Sequence, residues 1–208
     1  MPPGESWPLC CQGTTGLSTY PNVAVTCSPQ PGDAWRMGIR YYAYAFDGNL
    51  TDQALADPLS FLSDDPLADA WGFEQGATIS TPTFEQAVPN RDMLYLDKAW
   101  RQLQCLTAPA EPDLITRRAY RMFEGAVVMN GMGWEPWVRT LTPPEVLAVA
   151  RDLEEVCAED VELRLRESHC FSPDVAGEVD YVRSYLRKAR TFTANLADEG
   201  RGMVYMIG

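Results

Sequence analysis

The sequence predicts an α+β domain, and three observations carry that prediction. Ile39–Phe46 is dense in aromatic residues and reads as a first strand. Gly202–Ile207, at the other end, reads as a last strand. Between them lie segments with helical apolar spacing, the clearest announced by Thr142-Pro143-Pro144-Glu145. Strands at both ends with helices between imply a small sheet that includes residues 39–46 and 202–207, packed with several helices.

Taken in order, Met1–Arg36 stands apart. It holds Pro2, Pro3, Pro8, Pro21, Pro29 and Pro31 among Gly, Ser and Thr, with neither helical nor strand periodicity. Such a segment buries too little to offset its ordering entropy. It is expected to be a disordered extension or an overextended translation start, with Met37 as the native first residue and 37–208 as one domain. After the first strand, Asp47-Gly48-Asn49 makes a turn. Asp57-Pro58-Leu59 and Asp65-Pro66-Leu67 each mark a short helix start, since Asp caps and Pro suits the first helical position. Trp71–Asn90 reads as loop, with a possible helical turn at Phe84–Val88.

Leu94–Thr107 is expected to be an amphipathic helix, with Leu96, Trp100, Leu103 and Leu106 on its buried face. Asp113–Glu124 is a second helical candidate. Gly125–Asn130 reads as a short buried strand, Gly131–Trp137 as an aromatic loop, and Val138–Leu141 as a further strand. Glu145 completes a capping box with Thr142, and Val146, Val149, Ala150, Leu153 and Cys157 make one stripe behind it. Ala158–Ser168 is expected to be a separate acidic helix. Ser172-Pro173-Asp174 caps the last long helix, with its stripe at Val179, Val182, Leu186, Ala189, Thr193 and Leu196, and Gly200 ends it.

The chain's composition narrows the function classes. A 208-residue chain with 46% hydrophobic and 22% charged residues is an ordinary globular protein. Its net charge of −12 argues against a nucleic-acid binder, which needs cations to replace counterions, and against anionic membrane surfaces. No apolar run approaches the roughly 18 residues a membrane span needs. The six cysteines include no CxxC pair, and several fall at interior-looking helix positions. No structural metal or other cofactor is expected, and the compartment reads as reducing cytosol.

The residues then meet a known family. Met37–Phe46, the run Leu96-Asp97-Lys98-Ala99-Trp100 with Leu103 and Leu106, Arg139-Thr140-Leu141-Thr142-Pro143 before a helix, and the long last helix into Met203–Ile207 follow one order. In these the chain resembles the YfbM-like family of small, mostly bacterial proteins, a domain of unknown function, over about residues 37–208. The resemblance implies a compact α/β domain; it implies no activity. Two departures stand out. Relatives often carry His where this chain has Gln104, and Trp137 stands where a smaller residue is expected before the arginine.

Five residues are candidates for ligand binding: Asp97, Trp100, Trp134, Trp137 and Arg139. On a helix, Asp97 and Lys98 point about 100° apart, so they do not act as a facing pair. Asp97 either accepts hydrogen bonds from a ligand or from Arg139 at a cleft edge, or serves structurally, capping a neighbouring backbone end or pairing with an arginine. The structural use is the commoner one for a paired carboxylate. Arg139, ahead of a helix N-terminus, suits a carboxylate or phosphate, or else pairs with Asp97 or Glu135. Trp134 and Trp137 either wall a pocket or pack the core rim. His169 and Cys170 are sequence neighbours, and adjacent side chains usually diverge, which argues against a dyad.

Two functions remain open. The first is a non-catalytic cytosolic module binding a basic protein partner or a small polar ligand. The second is an enzyme acting on a small polar substrate through Asp97 and Arg139. They differ in one checkable way, because the enzyme needs both residues in one open pocket.

Overall fold

A computed structural model of the chain describes residues 38–73, 82–108, 116–131, 133–157, 161–163 and 175–208. Among the described residues, the strands are β1 (Tyr41–Phe46), β2 (Met93–Asp97), β3 (Val128–Asn130), β4 (Gly133–Glu135), β5 (Trp137–Leu141) and β6 (Gly202–Ile207). The helices are α1 (Thr51–Ala56), α2 (Pro66–Trp71), α3 (Trp100–Thr107), α4 (Tyr120–Phe123), α5 (Pro143–Glu154) and α6 (Val175–Glu199). The fold is α+β. One antiparallel sheet runs β2-β1-β6-β5, and β3 with β4 forms a separate hairpin. The first and last strands are thus the central pair of the sheet, and β2 and β5 are its two edges.

Alternation along the strands decides the two faces. Tyr41, Ala43, Leu94, Leu96, Leu141, Met203, Tyr205 and Ile207 join α3, α4, α5 and α6 in the larger core. Tyr42, Tyr44, Phe46, Met93 and Val204 turn the other way, against α1, α2 and the short 3-10 turn Pro58–Phe61. A strand covered on both faces needs no polar alternation, which explains the uniformly apolar YYAYAF of β1. Gly202 fits this plan because a Cβ there would lie 2.2 Å from the ring of Phe46.

Two tyrosines at the middle of the sheet hold α4. Tyr41 and Tyr205 are fully buried and stack with centroids 5.2 Å apart. Tyr41 donates to the Met122 carbonyl at 2.9 Å, and Tyr205 to the carbonyls of Arg121 at 3.0 Å and Glu124 at 2.6 Å. A helix of four residues is too short to stand alone, so these phenols supply partners for its last carbonyls. Burial pushes both phenols well above their ordinary ionisation range.

The capping box at Thr142 is formed as expected, with Glu145 accepting from the Thr142 amide at 3.0 Å and its own amide capped in return. Val146, Val149, Ala150 and Leu153 are buried behind it. At its far end, Arg190 of α6 donates to the carbonyls of Leu153, at 2.8 Å, and Val156. The α6 stripe of Val179, Val182, Leu186, Ala189, Thr193 and Leu196 is buried throughout, and Gly200 follows with a left-handed φ of 65°.

Several expectations fail. Leu94–Thr107 is not one helix. Its first part is β2, and α3 begins only at Trp100. In β2, Leu94 and Leu96 alternate onto one face while Met93 and Tyr95 take the other, a strand pattern that happens to continue helical spacing into Trp100 and Leu103. The strand expected at Gly125–Asn130 shrinks to β3, which is exposed rather than buried. The Asp113–Glu124 helix is confined, among the described residues, to α4. Phe84–Val88 makes no helical turn, and Phe84 has a φ of 58°. Asp65 caps α2 through Ala68 at 3.0 Å, whereas the Asp57 side chain caps nothing. The readings on Met1–Arg36, on Met37 as a start, on His169 and Cys170 and on the Ser172-Pro173-Asp174 cap lie outside the described residues, as does most of Ala158–Ser168.

Candidate functional site

Asp97 ends β2 at a bulge. Tyr42 faces Tyr95 across the ladder but Tyr41 faces Asp97, so Leu96 is the extra residue. Asp97 takes a left-handed φ of 48°, a region that Asp tolerates better than most side chains. Its carboxylate accepts from Arg40 Nε at 3.1 Å, Tyr95 at 2.9 Å and Tyr181 of α6 at 3.0 Å. Those donors come from both layers, so Asp97 clasps α6 to the sheet edge. Burial raises the Tyr95 and Tyr181 phenols, and the Asp97 charge raises them further. Arg40 also lies 5.1 Å from the Trp71 ring centroid and donates to the Gly38 carbonyl at 3.0 Å.

Arg139 lies at the opposite edge. It pairs with Glu124, not with Asp97 or Glu135. Asp97, Tyr41, Ile207 and Trp137 form one row across the sheet, which places the two edges roughly 14 Å apart at standard strand spacing. The structure therefore does not bring Asp97 and Arg139 together as neighbours. Trp100 is buried in the larger core, and its indole N–H meets no acceptor among the described residues. Trp134, on the hairpin, packs on Gly38, where a Cβ would lie 3.2 Å from its ring. Trp137 closes on Gly125, whose φ of 137° and 2.4 Å clearance leave no room for a side chain. The two tryptophans are each 37% exposed. Gln104 donates to the Gly125 carbonyl at 3.0 Å.

An open cleft lies elsewhere among the described residues. A cleft of about 450 Å³ lies between β2 and α6, within the size range of small-molecule sites. Met93, Leu94 and Tyr95 all line it; both strand faces contribute, so it runs along the outer edge of β2. From α6 come Ser184, Lys188, Thr191 and Asn195, one stripe at helical spacing, with Arg187 beside them. Arg91 joins from the loop before β2. None of the lining residues is acidic, so three cations converge in a chain of net charge −12.

The backbone of β2 adds to the lining. Ala45 donates to the Asp92 carbonyl at 2.9 Å, which sets the ladder's phase and turns the N–H and C=O of Met93 and Tyr95 outward. Met93 is already served, its N–H by the Pro89 carbonyl at 3.0 Å and its C=O by Gln86 at 3.1 Å. Tyr95 remains. Its amide and carbonyl meet no further backbone partner among the described residues.

Sequence reasoning missed Arg91, Tyr95, Arg187 and Lys188. The available signal was the run Arg183, Arg187, Lys188 and Arg190 in an acidic chain, with Arg183 and Arg187 a repelling i, i+4 pair. Among the described residues, no group of three His, Cys, Asp or Glu side chains gathers to hold a metal, and no helix is long and apolar enough to cross a membrane.

No protein-family model matches the chain, and no curated protein does. The chain is similar to a solved structure, a protein of unknown function, YfbM from Escherichia coli. Identity is 16% and the TM-score 0.49, over 81% of this chain and 99% of that one. The sequence motifs resemble the family of that same protein. Its own function is unknown, so the likeness supplies no chemistry.

Proposed function

We propose that this protein is a non-catalytic small-ligand-binding module whose ligand sits between β2 and α6. The carrying observation is the cleft of about 450 Å³ with three lining cations and one outward-facing backbone amide. Its lining contains no carboxylate, imidazole or thiol, the usual proton-transfer groups near neutral pH. The one phenol, Tyr95, is turned to Asp97 and raised in pKa by burial, so it stays protonated. The sequence reading of a reducing cytosol belongs to the same proposal.

In this reading Asp97 acts on the site indirectly. By holding Tyr95 and Tyr181 it fixes one end of the cleft between strand and helix. Amide chemical-shift mapping with a mixture of small-molecule fragments tests the proposal. Shifts are expected at Tyr95, Ser184 and Thr191. Shifts confined to the Trp134–Trp137 side would move the site to the other edge and overturn it.

A further inference from the structure

The cleft's chemistry goes further than its volume, and any ligand preference there rests on the reading of the cleft as a binding site. Four cations occupy eight residues of α6, and two have structural employment. Arg190 closes the end of α5, and Arg183 lies 3.9 Å from Glu162. Arg187 and Lys188 have no carboxylate partner among the described residues; Lys188 rests 4.8 Å from the Tyr185 ring centroid. Both line the cleft. Across from them, Arg91 is largely exposed and touches Asp92 at 3.3 Å, but Asp92 also serves Arg201 at 3.0 Å.

Arg91, Arg187 and Lys188 are exposed to solvent, and their convergence on one concave site offers an anion several charge-assisted hydrogen bonds at once. The strand side contributes a neutral donor, the Tyr95 amide, and polar Ser184 and Thr191 flank the arginine. An extended peptide pairing with β2 would find only Tyr95 open, since Pro89 and Gln86 already serve Met93. The volume and this single open residue fit a small molecule rather than a strand.

We propose that the cleft between β2 and α6 selects a small polyanion, a phosphate ester or a di- or tricarboxylate. Arg187 and Lys188 hold it from the helix, Arg91 from the loop and the Tyr95 amide from the sheet edge. Arg187 takes the bidentate role, because its planar fork matches both phosphate and carboxylate oxygens.

The test is calorimetric titration of the full chain with pyrophosphate and with citrate, at ionic strength matched with sodium chloride, and with glucose as neutral control. One or both anions should bind where glucose does not, and the tighter of the two names the source class. Arg187→Glu should weaken that binding by at least about tenfold, whereas Arg151→Glu, an equal charge change at an exposed site on α5, should change it less than about twofold. Equal losses in both variants would reduce the effect to overall charge and overturn the inference. Anions that bind no better than chloride, with neutral fragments still shifting Tyr95 and Ser184, would sink the polyanion and leave the binding site standing. Silence from both anions and fragments at those amides would remove the site as well.

Discussion

The two edges of the sheet are built from like parts and end differently. At the β2 edge, Arg40 pairs with Asp97; at the β5 edge, Arg139 pairs with Glu124. Each edge has aromatic neighbours. At β5 the tryptophan closes onto Gly125, beside the pair. At β2 the carboxylate gathers three donors, and the space beside it stays open between strand and helix. An arginine–carboxylate pair is therefore no marker of function by itself. What separates the edges is the open cleft beside β2, lined by Arg187 and Lys188, unpaired among the described residues.

The largest expected effect would break this contrast at Asp97. Asp97→Leu leaves Arg40, Tyr95 and Tyr181 without their shared acceptor, and should cost about 3 kcal/mol of unfolding free energy in urea titration. Alkaline pH attacks the same clasp. Tyr181 and Tyr95 have folded pKa values above the ordinary 10 of the unfolded chain, so their contribution is complete below pH 10 and lost above it. The melting temperature should fall as pH rises past that point, less steeply in Tyr181→Phe; equal slopes would show that the phenol does not carry the effect. At the other edge, Arg139→Leu should cost only about 1 kcal/mol, because its partner is over a third exposed. A loss matching that of Asp97→Leu would erase the distinction drawn between the edges. The smallest effect is at the cleft. Arg187→Ala should leave stability within about 0.5 kcal/mol, with a slight gain from relieving repulsion by Arg183. A clear loss would assign Arg187 to structure.

How much of the molecule was legible in the sequence depends on the range of the interactions. The α5 capping box and the buried stripe of α6 are local, and residues three or four apart announce them. The terminal strands are equally plain, since β-rich runs bounded by Gly or Asp need no distant partner. Their adjacency at the sheet's centre was not visible. Leu94–Thr107 failed for a physical reason: a strand face, a bulge and a helix start placed Leu96, Trp100 and Leu103 at helical spacing without being a helix. With Asp97 on a helix, Tyr95 is no edge residue and the cleft beside it is hidden. Arg139 and Asp97 are complementary charges that the sequence allows to pair, yet the intervening β1 and β6 separate them in space.

The contact between Arg190 and α5 bears on how the molecule opens. Arg190 reaches from the middle of α6 to the Leu153 carbonyl of α5 and the Val156 carbonyl just beyond it, and although burial lowers its pKa the guanidinium is charged near neutral pH. A closure of that kind does not loosen with mild acid or base. The end of α5 cannot fray without also freeing a half-buried cation on α6. In native-state hydrogen exchange the last turn of α5 should therefore share the opening free energy of central α6, two helices behaving as one cooperative unit.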